Sequence, residues 1–187
     1  MPGKPAYSTK AKTPRVRLAM IGALVVALAA GGYVVWRPTD ESRIRAQLAR
    51  LASAVHITEA DAQANPVARL ARVNGELDAL FEPEARINVP ELSELTSGHA
   101  SRTELAELVA GAPRLVKTFD VDFGSVTLKL DAAHTTAFVG ATASVRAVER
   151  DGTVNQGRRA IDAHFVEKDG VWVIRTLSVW PKEDAAP

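Results

Sequence analysis

The chain has 187 residues, 47% of them hydrophobic, a formal net charge of +1 and no cysteine. That length admits one ordinary domain of about 150 residues beside a shorter segment, and the lack of cysteine excludes disulfides, thiolate metal sites and cysteine nucleophiles. Charge is uneven: Lys4, Lys10, Lys12, Arg15 and Arg17 occupy the first 17 residues without an acid, leaving 18 basic against 22 acidic side chains beyond them. The body of the protein is therefore mildly acidic, which argues against nucleic acid as a partner.

Residues 1–17, with Pro2, Pro5 and Pro14, read as a basic cytoplasmic tail. Leu18 to Trp36 carries no charge, and as a helix it spans roughly 28 Å, close to the thickness of a bilayer's hydrocarbon core. Tyr33 and Trp36 stand at its far end, where amphipathic rings favour the interface. Residues 18–36 are thus expected to be a transmembrane signal-anchor. The basic cluster before them places the N-terminus in the cytoplasm and everything after the span outside it, giving a single-pass inner-membrane protein with a periplasmic or extracellular domain. Ala27-Leu28-Ala29 has the small-x-small form of a signal cleavage site. The apolar run through Val34, Val35 and Trp36 favours an uncleaved anchor.

Residues 37–41 form a short linker. Thr39 is a candidate helix cap, with Asp40 and Glu41 suited to the first turn, and Ile44, Leu48, Leu51 and Val55 then mark one helical face. Thr58 with Asp61 three residues later is an acidic variant of the capping box. Asn65 followed by Pro66 begins a second helix, whose apolar side is expected to be Val67, Leu70, Asn74, Leu77 and Phe81, with Pro83 ending it. Ala85 to Val89 is a short strand. Ser101 and Glu104 box the start of a third helix, which Gly111 and Pro113 stop. Four strand-like stretches follow, Val121–Leu130, Thr135–Glu149, Val154–Lys168 and Val171–Trp180, the last three separated by Asp151-Gly152 and Asp169-Gly170. Asp-Gly between alternating segments signals a hairpin whose two central residues take positive φ, so these strands form an antiparallel meander. The order predicts an α+β domain over 42–181: a curved antiparallel sheet packed against about three helices in a cone, followed by a tail at 182–187.

Three stretches carry a resemblance to a known family: ELDALFEPEARINVPEL, the Gly98 to Val109 helix, and the final hairpin HFVEKDGVWVIRTLSVW. Over roughly residues 42–181 the chain resembles the nuclear-transport-factor-2-like superfamily, which includes ketosteroid isomerases and SnoaL-like polyketide cyclases. The resemblance implies the cone fold, with a pocket at its open end and an outer sheet face on which members commonly dimerise. It does not imply a chemistry, since superfamily members share a shell and differ in contents.

The residues offer no recognisable catalytic motif. His56, His99, His134 and His164 are scattered, none at ligand spacing with another, so no metal site is expected, and no cofactor motif is present. Asp78 lies on the helix that, in enzymes of the superfamily, often turns an acid into the pocket. Asp162 and His164, two apart on one strand, share a face with Arg158 and could act as a general base. Asn74 falls on an apolar stripe, where a buried amide needs a partner. Alternation on the last strand puts Trp172, Ile174, Thr176, Ser178 and Trp180 on one face as pocket wall or core. Arg86, Asn88 and His99 are further polar candidates near the cone's mouth. Two functions are in competition, beside a third in which the domain is an inert extracytoplasmic spacer or accessory domain. One is a membrane-anchored domain for binding or assembly, as a homodimer or with a membrane-proximal protein, the cone holding a small apolar ligand. The other is an enzyme of the isomerase, cyclase or hydratase kind, with Asp78 or the Asp162–His164 pair as base.

Overall fold

A computed structural model describes residues 39–89 and 99–181. The expected span at 18–36 and the tail at 182–187 lie outside the described residues. Among those described, no helix is long and apolar enough to cross a membrane.

Helix α1 (Asp40–Val55) begins where the sequence marks it: the Thr39 hydroxyl accepts from Ser42 N–H at 3.2 Å, with Asp40 and Glu41 in the first turn. It buries Ile44, Leu48, Leu51 and Ala54. A single 3-10 turn, Glu59–Ala62, follows, with the Thr58 backbone N–H and hydroxyl both donating to Asp61 at 2.7 and 2.8 Å. Helix α2 (Pro66–Leu80) is capped by Asn65, whose side chain accepts from Val67 N–H at 2.9 Å.

The buried face of α2 differs from the expected one. It is Arg69, Val73, Leu77 and Leu80, while Val67 is 73% exposed, Leu70 and Asn74 lie at a half-buried margin, and Phe81 already belongs to the next strand. The cause is Arg69, which apolar periodicity counts as a surface residue. Its guanidinium is buried because it meets Asp61 in an ion pair and donates to the Val109 carbonyl at 3.4 Å. A cation so paired can sit on an inward face.

Strand β1 (Phe81–Asn88) starts four residues earlier than Ala85. The two-residue β2 (His99–Ala100) pairs with its end, Ile87 with Ala100 and Asn88 with His99. Helix α3 (Arg102–Gly111) carries the expected reciprocal box between Ser101 and Glu104. Four long strands follow: β3 (Val116–Leu130), β4 (Thr136–Glu149), β5 (Val154–Lys168) and β6 (Val171–Pro181). They form an antiparallel meander in a six-stranded sheet of order β2-β1-β6-β5-β4-β3, in which β1 runs parallel to β6.

The two Asp-Gly turns are not alike. Asp169 and Gly170 both take positive φ, 51° and 82°, as a two-residue hairpin requires. At Asp151-Gly152 only Gly152 does, at 95°, and the loop is three residues long, closed by Glu149 N–H on the Thr153 carbonyl at 2.8 Å.

The helices cover one face of the sheet. There Phe81, Phe165 and Trp172 join Ile44, Leu48 and Leu77 in a single core, none of them more than 2% exposed. The expected alternation on β6 breaks within it. Phe165 pairs with Ile174 but His164 pairs with Thr176, so Arg175 is an extra residue in β6. Such a bulge exchanges the faces of everything beyond it. Trp172 and Ile174 point inward as expected, whereas Thr176, Ser178 and Trp180 lie on the outer face and Leu177 takes the buried position.

Candidate functional site

The bulge has a local cause on the neighbouring strand. β1 pairs Phe81 with Ile174 and resumes only at Arg86 with Thr176. Pro83 lies within the gap, and proline cannot donate to a ladder. The Glu82 carboxylate, almost fully covered, fills the irregularity: it accepts from Arg175 at 2.8 and 3.2 Å and lies 2.6 Å from the Lys168 ammonium. The Arg175 hydrogen bonds, then that of Lys168, hold its carboxyl down to about 2. The cluster borders a hollow of about 580 Å³ that also includes Arg86 and Thr176. Its cations are largely engaged with Glu82, so it reads as a clamp that fixes the bulge.

Beyond the clamp the outer face of the sheet becomes continuous. The registers align Arg86, Thr176, His164, Phe138 and Lys129 in one row across five strands, and Asn88, Ser178, Asp162, Gly140 and Thr127 in the next. A third row runs from Trp180 through Ala160 to Thr142. In the first row the Phe138 ring lies flat on the His164 imidazole, centroids 4.5 Å apart and planes within 4°. Phe138 is nevertheless 59% exposed and Trp180 41%. At Gly140 a side chain would crowd Thr127, since a Cβ there would stand 3.0 Å from the Thr127 hydroxyl; glycine keeps the second row low. The result is a broad polar sheet face with two aromatic side chains in water.

Of the residues singled out from the sequence, the structure gathers Arg86, Asn88, Asp162, His164, Thr176 and Trp180 on this one face. His99 is exposed beside Asn88 on the neighbouring β2. Trp172 and Ile174 belong to the core. Asp78 and Asn74 stand apart on α2; Asp78 is exposed and accepts an ion pair from Arg102 at 2.8 Å.

Two features escaped the sequence reading. Phe138 is one: it alternates with Ala137 and Val139, which are buried, so period two signals an outward aromatic once the inner face is fixed. The other is a tie at the start of α1. Asp40 accepts from the Trp172 indole N–H at 3.3 Å and lies 3.0 Å from His134 Nδ1. The His134 hydrogen bond, then that of Trp172, lowers the Asp40 carboxyl. His134 reaches it from the β3–β4 turn in a left-handed conformation, φ 56°. No spacing rule connects residues 94 and 132 positions apart.

The sequence matches no family model and no curated protein. Solved structures do match. A nuclear transport factor 2-like superfamily protein from Salmonella enterica serovar Typhimurium aligns with a TM-score of 0.57 at 14% identity, over 79% of this chain and 94% of that one. A type 2 hexachlorocyclohexane dehydrochlorinase aligns at 0.57 and 8% identity, over 76% and 84%. An uncharacterised protein with a cystatin-like fold from Caulobacter vibrioides aligns at 0.53 and 14%, over 76% and 89%. At such identities the likeness speaks for architecture, and the resembling set holds both an enzyme and proteins without assigned activity. The helices, the meander, the parallel β1 and these alignments agree: residues 39–181 carry the nuclear-transport-factor-2-like fold.

Proposed function

We propose that this chain is a membrane-tethered, extracytoplasmic domain that acts in assembly, associating through the outer face of its sheet as a homodimer. The observation that carries this reading is the contrast between the two sheet faces. The helix-covered side holds Trp172, Phe81 and Phe165 in contact with the helices, and its remaining hollow lies at the β3 edge against α1. The outer side sets Phe138 and Trp180 in water on a sheet face of matching rows. Exposed aromatics in a broad polar frame are the composition of a recognition surface. The general-base alternatives draw less support, because Asp78 and Asp162 are exposed and His164 is stacked under Phe138 on the outer face. The tether rests on the uncharged stretch 18–36 and the basic residues before it.

The test is the mass of the full chain, extracted from its membrane in mild detergent, beside the Phe138→Glu/Trp180→Glu double variant. A dimer that the double variant converts to monomer supports the reading. A clean monomer of the unaltered chain, with neither a second protein nor lipid retained, sinks it.

A further inference from the structure

The long edge strand of the sheet is β3, the two-residue β2 forming the other edge. One residue of it is already paired from outside: Phe119 exchanges backbone hydrogen bonds with Ile57, at 2.9 and 3.0 Å, in an isolated antiparallel bridge. The β3–β4 ladder runs unbroken from Thr118 to Gly124. By strand alternation, the N–H and C=O groups of Val121 and Phe123 therefore point the same way as those of Phe119, away from β4. No described element pairs with them. At this place a hollow of about 420 Å³ lies between α1 and β3, walled by Leu48, Ala49 and Ala52 on the helix and by Val121, Phe123 and Val126 on the strand.

Charge settles what suits it. Arg45 at one end is engaged by Glu41, at 2.7 and 3.0 Å, and reaches the Val126 carbonyl at 3.4 Å. His56 at the other end is held by Asp120 at 2.8 Å. Arg45 and His56 thus each have a carboxylate partner. Asp122, exposed on the rim, has no ion pair among the described residues, so the unbalanced charge of the groove is negative.

We propose that this edge is a docking site for an extended segment of another protein, one that alternates apolar and basic residues. It adds as an antiparallel strand beside β3, continuing the direction of the Ile57 bridge. Its backbone satisfies Val121 and Phe123, its apolar side chains enter the groove against α1, and a Lys or Arg meets Asp122. A second copy of this chain fits less well. Pairing β3 with itself about Val121 sets Asp120 opposite Asp122, and pairing about Asp122 sets that carboxylate opposite its twin, which like-charge repulsion disfavours. The groove lies on the helix side of the sheet, away from Phe138 and Trp180, and only Asp122 belongs by register to the outer face, so failure of strand addition would leave the assembly reading untouched.

The experiment uses the purified full chain in detergent micelles and a labelled ten-residue peptide of alternating Val and Lys, compared by fluorescence anisotropy with the same peptide carrying Glu for Lys. The lysine peptide should bind at least tenfold tighter. Val121→Pro, which removes one outward N–H at an edge where proline is tolerated, should weaken binding at least tenfold, and by more than Val121→Ala, which keeps that N–H and trims only the groove wall. Asp122→Lys should reverse the preference between the two peptides. No binding of the lysine peptide up to millimolar concentration, or equal binding of both, overturns the proposal. So does a folded Val121→Pro variant that binds normally. If that variant fails to fold, Asp122→Lys decides alone: an unchanged preference overturns the proposal.

Discussion

The sheet has two faces built from the same four long strands, and tryptophan stands on both. Trp172, on the concave face, is 1% exposed, gives its indole N–H to Asp40 and packs among helix residues. Trp180, eight residues later on the same strand, is 41% exposed. Plain alternation would put both on one side, and the extra residue at Arg175 separates them. Large apolar side chains on the concave face supply cohesion, while Phe138 and Trp180 on the outer face lie in water. The largest effect that tests this difference is on folding. Trp172→Ala should cost about 3–5 kcal/mol, as truncation of a buried aromatic does. Trp180→Ala should change stability by no more than about 0.5 kcal/mol. Chemical denaturation of the two variants measures both, and equal losses would erase the distinction between the faces.

A second contrast lies within the polar residues. Asp61 and Arg69 are a covered ion pair tying the 3-10 turn to α2, whereas Arg50 and Glu76 form an exposed pair at 2.8 Å between α1 and α2. Burial pushes the Asp61 carboxyl up, but hydrogen bonds from the Thr58 backbone and hydroxyl and the nearby Arg69 and Arg72 outweigh it and leave it lowered. Asp61→Ala strands the Arg69 guanidinium in the interior, at about 3 kcal/mol. Glu76→Ala should cost well under about 1 kcal/mol, because an exposed pair is screened by water. Comparable losses from the two would mean that Arg69 finds another partner.

Much of the fold was legible because its signals are local. The caps at Thr39, Asn65 and Ser101 each need only the next three residues, and all three make the expected hydrogen bonds. The long strands announce themselves by branched residues and turns. The candidate surface was legible only in part. Asp162 and His164 sharing a face follows from period two, yet whether that face meets helices or water depends on which neighbours are buried. Thr176 and Trp180 lie opposite to the face that alternation gives because of the bulge at Arg175, which Glu82 holds from 93 residues earlier in the chain. The inward turn of Arg69 likewise depends on Asp61, a partner that helical periodicity does not see. Pairings of this kind are set by tertiary packing and leave no mark at any fixed spacing.

The Glu82 clamp gives the comparison a pH dependence. Its folded carboxyl lies near 2 against an ordinary 4.5, lowered first by Arg175 and then by Lys168. A depressed carboxylate contributes its stability in full above the ordinary value and loses it as pH falls through that value toward the folded one. Unfolding midpoints should therefore fall between about pH 4.5 and pH 2 more steeply in the unaltered chain than in Glu82→Gln, whose stability at neutral pH should be lower by about 1 kcal/mol. Because the clamp sets the bulge, Glu82→Gln should also raise hydrogen exchange in β6 near Arg175 while leaving the β3–β4 ladder unchanged. Parallel acid profiles for the two proteins would remove the clamp from the account.

The smallest expected effect on folding falls on the residue that matters most to the proposed surface. Phe138 packs flat on His164, an arrangement worth about 0.5–1 kcal/mol at an exposed site, and buries little else. Phe138→Ser should accordingly leave the unfolding midpoint nearly in place while releasing the His164 ring. Two-dimensional NMR of the imidazole protons is the direct reading, since a ring current from Phe138 shifts them upfield and its removal returns them toward ordinary values. The same variant should weaken self-association far more than folding, because its ring stands exposed in the first row, between Lys129 and His164. A Phe138→Ser protein that loses stability by several kcal/mol would place Phe138 among the cohesive residues and return the outer face to an ordinary solvated sheet. One that folds normally, with its histidine resonances shifted and its dimer lost, would confirm that the sheet keeps its two faces for two different tasks.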